Sequence, residues 1–130
     1  MIVWYVAVGS AVGGAARYLA GMLVQGATGT SFPLGTFVVN ATGSLLLGLL
    51  LRYAVATPAI SPEVRALVTT GFCGGYTTFS TFSYETVTLL EDGDYRRAAL
   101  YAVATFAVAL AGTLVGFDLA RRLLVLQGRL

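Results

Sequence analysis

Four long apolar runs, separated by short polar intervals, make up most of the chain. Ile2 to Val24 carries a single charge, Arg17, while Gly35 to Leu51, Ala66 to Tyr84 and Ala98 to Phe117 carry none. A helix needs about 20 apolar residues to cross the hydrocarbon core of a bilayer, and all four runs qualify once the second extends through Arg52 or back to Phe32. The pattern predicts an all-α membrane protein with four transmembrane helices in one domain over residues 1–130, at about 2–24, 33–55, 62–90 and 95–126. The first run is longer than the apolar core of a signal peptide and no basic residue precedes it, so it is expected to stay in the mature protein.

The intervals carry stop and start chemistry. QGATGTS (Gln25 to Ser31) and TPAIS (Thr57 to Ser61) end the first two helices. Ser61, Pro62 and Glu63 have the order of an N-cap, a proline at the first helical position and an acid in the first turn. EDGD (Glu91 to Asp94) is a polar turn whose Asp94 can cap the fourth helix.

The third run breaks the otherwise greasy pattern. It holds GFCGGYTTFSTFSYE, with six side-chain hydroxyls between Tyr76 and Ser83. Two glycines followed by two threonines make a poor helix interior, and they fall near the bilayer midplane of a helix over 62–90. Either Gly74 and Gly75 permit tight packing, or the helix breaks at 74–77. A break at that depth is tolerated where protein or a water-filled cavity covers it, and its freed carbonyls can coordinate a monovalent cation. Past the break, Phe79 and Phe82 share a helix face, surrounded by Thr78, Ser80, Thr81 and Ser83. Phenyl edges are positive and hydroxyls donate, so this face suits a small anion whose hydration must be replaced.

Composition agrees with the membrane reading. The chain is 57% hydrophobic and 11% charged, against about 25% charged in soluble domains, with a mean hydropathy of +0.81. Asn40, Arg17 and Glu85 are polar side chains in apolar surroundings. Asn40 can donate two amide hydrogens or glue helices together. Arg17 faces a partner or a vestibule, or snorkels to the interface. Glu85 sits roughly 12 Å past Thr77 at the helical rise, near a mouth rather than the centre.

Enzyme chemistry has little support. There is no histidine, Cys73 has no cysteine partner, no acid pair has catalytic spacing, and neither a phosphate loop nor a basic patch for nucleic acid is present. Among the loop arginines, Arg52, Arg65, Arg121, Arg122 and Arg129 fall on one side of a four-span topology, and Arg96 and Arg97, joined by Arg17 if it reaches that interface, on the other. Positive loops stay cytoplasmic, and so weak a bias permits insertion in both orientations and pairing of opposed copies. Small residues at Gly9, Gly13, Gly21, Gly112 and Gly116 allow close helix approach, within or between subunits.

GGYTTFSTFS, together with GTFVVNATGSLLLG around Asn40 and GGAARYLAG around Arg17, resembles the CrcB family of fluoride channels, also called Fluc, over essentially all of the chain. The resemblance implies an antiparallel, dual-topology homodimer in the cell inner (plasma) membrane. Each dimer would have two narrow pores that passively export fluoride and relieve its toxicity. By the same resemblance Asn40, Phe79 and Phe82 line the fluoride path, with Ser80, Thr81 and Thr113 as hydroxyl positions. Glu85 is an acid beside the pore, Tyr101 supports a phenylalanine, and Arg17 lies near the vestibule. The carbonyls of Gly74 and Thr77 match a central site for structural Na+ at the dimer interface. Two other readings compete: a proton-coupled small multidrug exporter, which needs an acid where the first helix offers only Arg17, and a non-transporting partner subunit.

Overall fold

The structure, a computed structural model, describes residues 1–129 and contains helices and turns without a strand among them. α1 spans Ile2–Thr28, α2 Leu34–Val55 and α6 Tyr95–Leu126. These three, of 27, 22 and 32 residues, are long and apolar enough to cross a membrane.

The segment between α2 and α6 is built from pieces. α3 (Pro62–Ala66) runs into a π-helical stretch (Leu67–Cys73), then α4 (Gly74–Tyr76); after an interruption, α5 covers Phe79–Glu91. Ser61 caps α3 by accepting the Val64 N–H, with Pro62 in the first turn. Asp94 caps α6 in the same way through the Arg97 N–H. Each satisfies an amide that has no intrahelical partner.

Two boundaries differ from the sequence pattern, and both differences concern glycine. α1 runs on past Gly26 to Thr28 and stops at Gly29, whose φ of 60° is left-handed; a glycine ends a helix where it adopts that conformation, not by mere presence. The break in the third segment was expected over 74–77, yet Gly74, Gly75 and Tyr76 are helical. The interruption is Thr77 and Thr78, both extended, at φ/ψ of −86°/159° and −151°/116°. β-branched side chains favour the extended region, and each extended residue here has a partner described below.

The glycines serve close approach instead. A Cβ on Gly9 would strike the Leu67 carbonyl, one on Gly13 the Phe72 carbonyl, and one on Gly75 the backbone of Ser10. α1 therefore lies backbone to backbone on the π-helical stretch, and Ser10 Oγ donates to the Gly71 carbonyl at 3.4 Å. α2 and α6 meet the same way: Gly112 packs on Ala41 and Leu45, Gly116 on Leu45 and Leu49, and Gly48 on Thr113. Rising numbers on one helix meet rising numbers on the other, so the two run parallel. Small residues drive helix association in lipid because close backbones maximise van der Waals contact.

Candidate functional site

Thr77 and Thr78 interrupt the third segment, and their freed backbone groups organise the site. Asn40, buried on α2, reads the backbone of Thr78 in both directions: its Nδ2 donates to the Thr78 carbonyl at 3.0 Å, and its Oδ1 accepts the Thr78 N–H at 2.8 Å. Such a two-way amide pair holds an extended residue at the depth where a helix would normally satisfy it. The Thr77 carbonyl accepts from Arg17 Nη1 at 3.1 Å. The Thr78 side chain then restarts the helix, accepting the Thr81 N–H at 3.1 Å and donating to Thr81 Oγ1 at 3.0 Å. Ser80 shares that hydroxyl cluster, 3.3 Å from Thr78 Oγ1.

Three cavities follow one another past this break. The outermost, about 500 Å³, is bordered by Gln25, Glu85 and Asp92 among others. Tyr18, Gly21, Gly35 and Thr36 belong both to it and to a second cavity of about 280 Å³ that holds Arg17 and Thr81. Thr78 borders that cavity and a third of about 190 Å³, lined also by Asn40, Ser44, Phe79, Phe82, Thr105 and Phe106. The extended pair thus separates a charged antechamber from a small chamber walled by rings and donors.

The ring wall is an aromatic cluster. Phe82, 6% exposed, lies 5.6 Å from Phe79, 5.2 Å from Tyr101 and 5.7 Å from Phe106, the last edge to face. Phe79 is 69% exposed, so the chamber has no wall of this chain beyond that ring. Tyr101, fully buried, donates to Glu85 Oε2 at 2.6 Å, while Thr36 Oγ1 donates to Glu85 Oε1 at 2.8 Å. Two hydroxyls therefore hold the carboxylate against the wall, while the outer cavity reaches it from the other side.

The sequence-predicted residues do not all converge. Arg17, Asn40, Thr77, Thr81, Phe79, Phe82, Glu85 and Tyr101 line the cavities or contact residues that do. Thr113 does not border them; its hydroxyl donates to the carbonyls of Ala109 and Ser44 and joins α6 to α2. Gly74 lies one helical turn before the break, with open space where a side chain would be.

The match to known proteins is extensive. A model of the family described as "CrcB-like protein, Camphor Resistance (CrcB)" covers residues 4–117. The chain belongs to the CrcB family. It is 48% identical over 118 residues to the "Fluoride-specific ion channel FluC" of Geobacter sulfurreducens, covering 91% of this chain and 95% of that one. Proteins of the same name from Chlorobaculum tepidum (47% over 116 residues, 89% and 91% covered) and Aquifex aeolicus (40% over 122 residues, 94% and 98% covered) are similar along nearly their whole lengths.

Thr36 and Thr105 escaped the sequence reading of this candidate site, and Thr78 entered it only as one of the hydroxyls around the phenylalanines. Thr36 steadies Glu85, and Thr78 supplies both the pairing with Asn40 and the cap. Thr105 is buried in the small chamber, and its hydroxyl has no hydrogen-bond partner among the described residues. Thr105 had a legible signal: it stands four residues after Tyr101 and eight before Thr113, on one helical face. Thr36 had none, since its partner is 49 residues away.

Proposed function

We propose that this chain is a fluoride-selective channel that exports fluoride passively across the cell's plasma membrane and so relieves fluoride toxicity. The observation that carries the reading is the small chamber beyond Thr78, lined by the Asn40 amide, four hydroxyl residues and three phenyl rings, with no charged side chain among them. Fluoride is small and strongly hydrated, so leaving water requires several close donors. Asn40 commits one amide hydrogen to Thr78, and its second has no acceptor among the described residues. The Thr105 hydroxyl is likewise unpartnered. Phe79 and Phe82 complete the lining with phenyl rings, whose edges carry positive charge. Arg17 in the antechamber draws an anion inward, and its bond to the Thr77 carbonyl keeps the guanidinium beside the path rather than across it. Among the described residues, no acidic side chain borders the small chamber.

The working unit in this reading is an antiparallel, dual-topology homodimer with two pores. Its support is the unwalled side of the chamber at Phe79, which a second copy would close, and the presence of loop arginines on both sides of the membrane. A structural Na+ between the two copies would rest on the carbonyls of Gly74 and Thr77, and their chemistry fits. The Thr78 N–H that would serve the Gly74 carbonyl in a continuous helix is bonded to Asn40 instead. The Thr77 carbonyl keeps a second lone pair beyond the one facing Arg17. Two carbonyls make half a cage, and a symmetric pair would supply the rest. Bound there, the ion adds a fixed positive field near the pores without titrating.

Fluoride efflux from liposomes holding the purified protein, read with a fluoride electrode while a potassium ionophore clamps the voltage, tests the function. Rapid fluoride release without chloride release and without a proton gradient is expected. Release that needs a proton gradient would point to a coupled exporter, and no release to a partner subunit.

A further inference from the structure

A second polar cavity lies at the other end of α2. It has a volume of about 330 Å³ and is lined by Arg52, Phe117, Asp118 and Arg121. Sixteen residues separate Thr36 from Arg52 along one helix, roughly 24 Å at the helical rise, so this cavity is remote from the Glu85 vestibule. Arg52 stands three residues before the end of α2 at Val55, and Arg121 five before the end of α6 at Leu126. Because α2 and α6 run parallel, both arginines emerge on the same side, at the level where apolar helices leave the hydrocarbon.

The carbonyl ends of two helices favour cations, which accounts for arginine at these positions but not for the arrangement. Asp118, the acid of the cavity, is taken by Arg122, whose Nε lies 2.6 Å from Oδ2. Neither Arg52 nor Arg121 has an ion-pair partner among the described residues. The Arg52 guanidinium lies 6.0 Å from the centre of the ring of Phe117, a residue 42% exposed. Two uncompensated guanidinium forks beside an apolar ring form a cavity with a cationic rim and a greasy floor. A guanidinium fork matches the paired oxygens of a phosphate, and a halide ion offers it no such pair.

We propose that this cavity binds a phosphate oxyanion through Arg52 and Arg121, and that the oxyanion belongs to an anionic phospholipid whose glycerol and upper acyl carbons lie on Phe117. Basic pockets between helices at the membrane surface suit such headgroups, each arginine contributing about tenfold or less in affinity. The assignment is independent of the channel reading.

Native mass spectrometry of the detergent-solubilised protein, titrated with phosphatidylglycerol or with phosphatidylcholine of identical acyl chains, tests it. Phosphatidylglycerol is expected to bind the unmodified protein at least tenfold more tightly. R52Q/R121Q should lose this preference, a drop of roughly thirty-fold from two lost charges, whereas R96Q/R129Q, which removes two charges elsewhere, should keep it. Thermal unfolding with inorganic phosphate and no lipid separates the sources. A phosphate-dependent rise lost in R52Q/R121Q, without any lipid preference, would keep the phosphate site and assign it to a soluble ion. Should R52Q/R121Q not fold, R52K/R121K retains the charge but not the fork, and a several-fold weaker phosphatidylglycerol preference is expected. Equal phosphatidylglycerol binding by the unmodified protein and the arginine variant, with no response to phosphate, would overturn the proposal.

Discussion

Asn40 has one partner residue and two jobs. Its carbonyl oxygen and one amide hydrogen hold Thr78 extended, while the other hydrogen is left for the chamber. Asn40→Asp replaces a donor with a buried negative charge facing the Thr78 carbonyl, and losing a buried partner costs about 1–3 kcal/mol, more where charge is involved. The variant is therefore expected to melt at lower temperature and to pass no fluoride; robust efflux from it would remove Asn40 from the path. The two phenylalanines separate stability from transport. Phe82 is 6% exposed against three rings, so Phe82→Ile should lose roughly 1–3 kcal/mol of stability along with flux. Phe79 is 69% exposed on the single chain, and Phe79→Ile should change the stability of that chain's fold by about 0.5 kcal/mol or less while still reducing efflux. Thermal unfolding and liposome efflux on the same preparations check both, and an equal loss of stability in the two variants would contradict the distinction.

The elements were largely legible because a bilayer demands long apolar runs, and the caps at Ser61 and Asp94 were legible because capping is local. The interruption near the midplane was legible in kind but not in place. Glycine has low helix propensity, yet Gly74 and Gly75 are helical, because Gly75 is needed for contact with Ser10 and the stretch before it is already tied to α1. What breaks the helix is Asn40, from another element, capturing the Thr78 N–H, a contact 38 residues apart that no local pattern contains. The π-helical register of Leu67–Cys73 was silent for a related reason. It forms where α1 approaches at Gly9 and Gly13, so it reflects a fit between elements. That fit yields a paired test on adjacent residues. Gly13→Ala drives a methyl into the Phe72 carbonyl and should cost about 1–3 kcal/mol or more. Gly14→Ala meets nothing within 4 Å and should be tolerated. Melting temperatures in detergent decide, and equal behaviour would mean that α1 does not seat on the π-helical stretch through Gly13.

For the whole molecule, orientation in the membrane follows from which arginines count. Arg17 bonds the Thr77 carbonyl within the helices, so it does not act as a loop charge. Arg96 and Arg97 are then the loop arginines of their side, facing Arg52, Arg65, Arg121, Arg122 and Arg129. Under the dual-topology reading those two charges hold the balance. Removing them costs little structurally: Arg97 contacts Asp94 at 3.5 Å and Ser31 at the protein surface, where such pairs contribute about 0.2–1 kcal/mol. Positive loops stay cytoplasmic, so R96Q/R97Q should insert mostly with both termini in the cytoplasm. Fusions at the C-terminus read this directly, since a fluorescent protein that matures only in the cytoplasm and a phosphatase active only outside report opposite orientations. The unmodified chain is expected to give both signals, and the variant to keep fluorescence and lose phosphatase activity. If transport needs opposed copies, fluoride efflux per molecule must fall with the phosphatase signal, and adding back a copy biased the other way must restore it. A single orientation in the unmodified chain, with undiminished efflux, would exclude the antiparallel dimer and leave the pore to be closed by copies facing the same way.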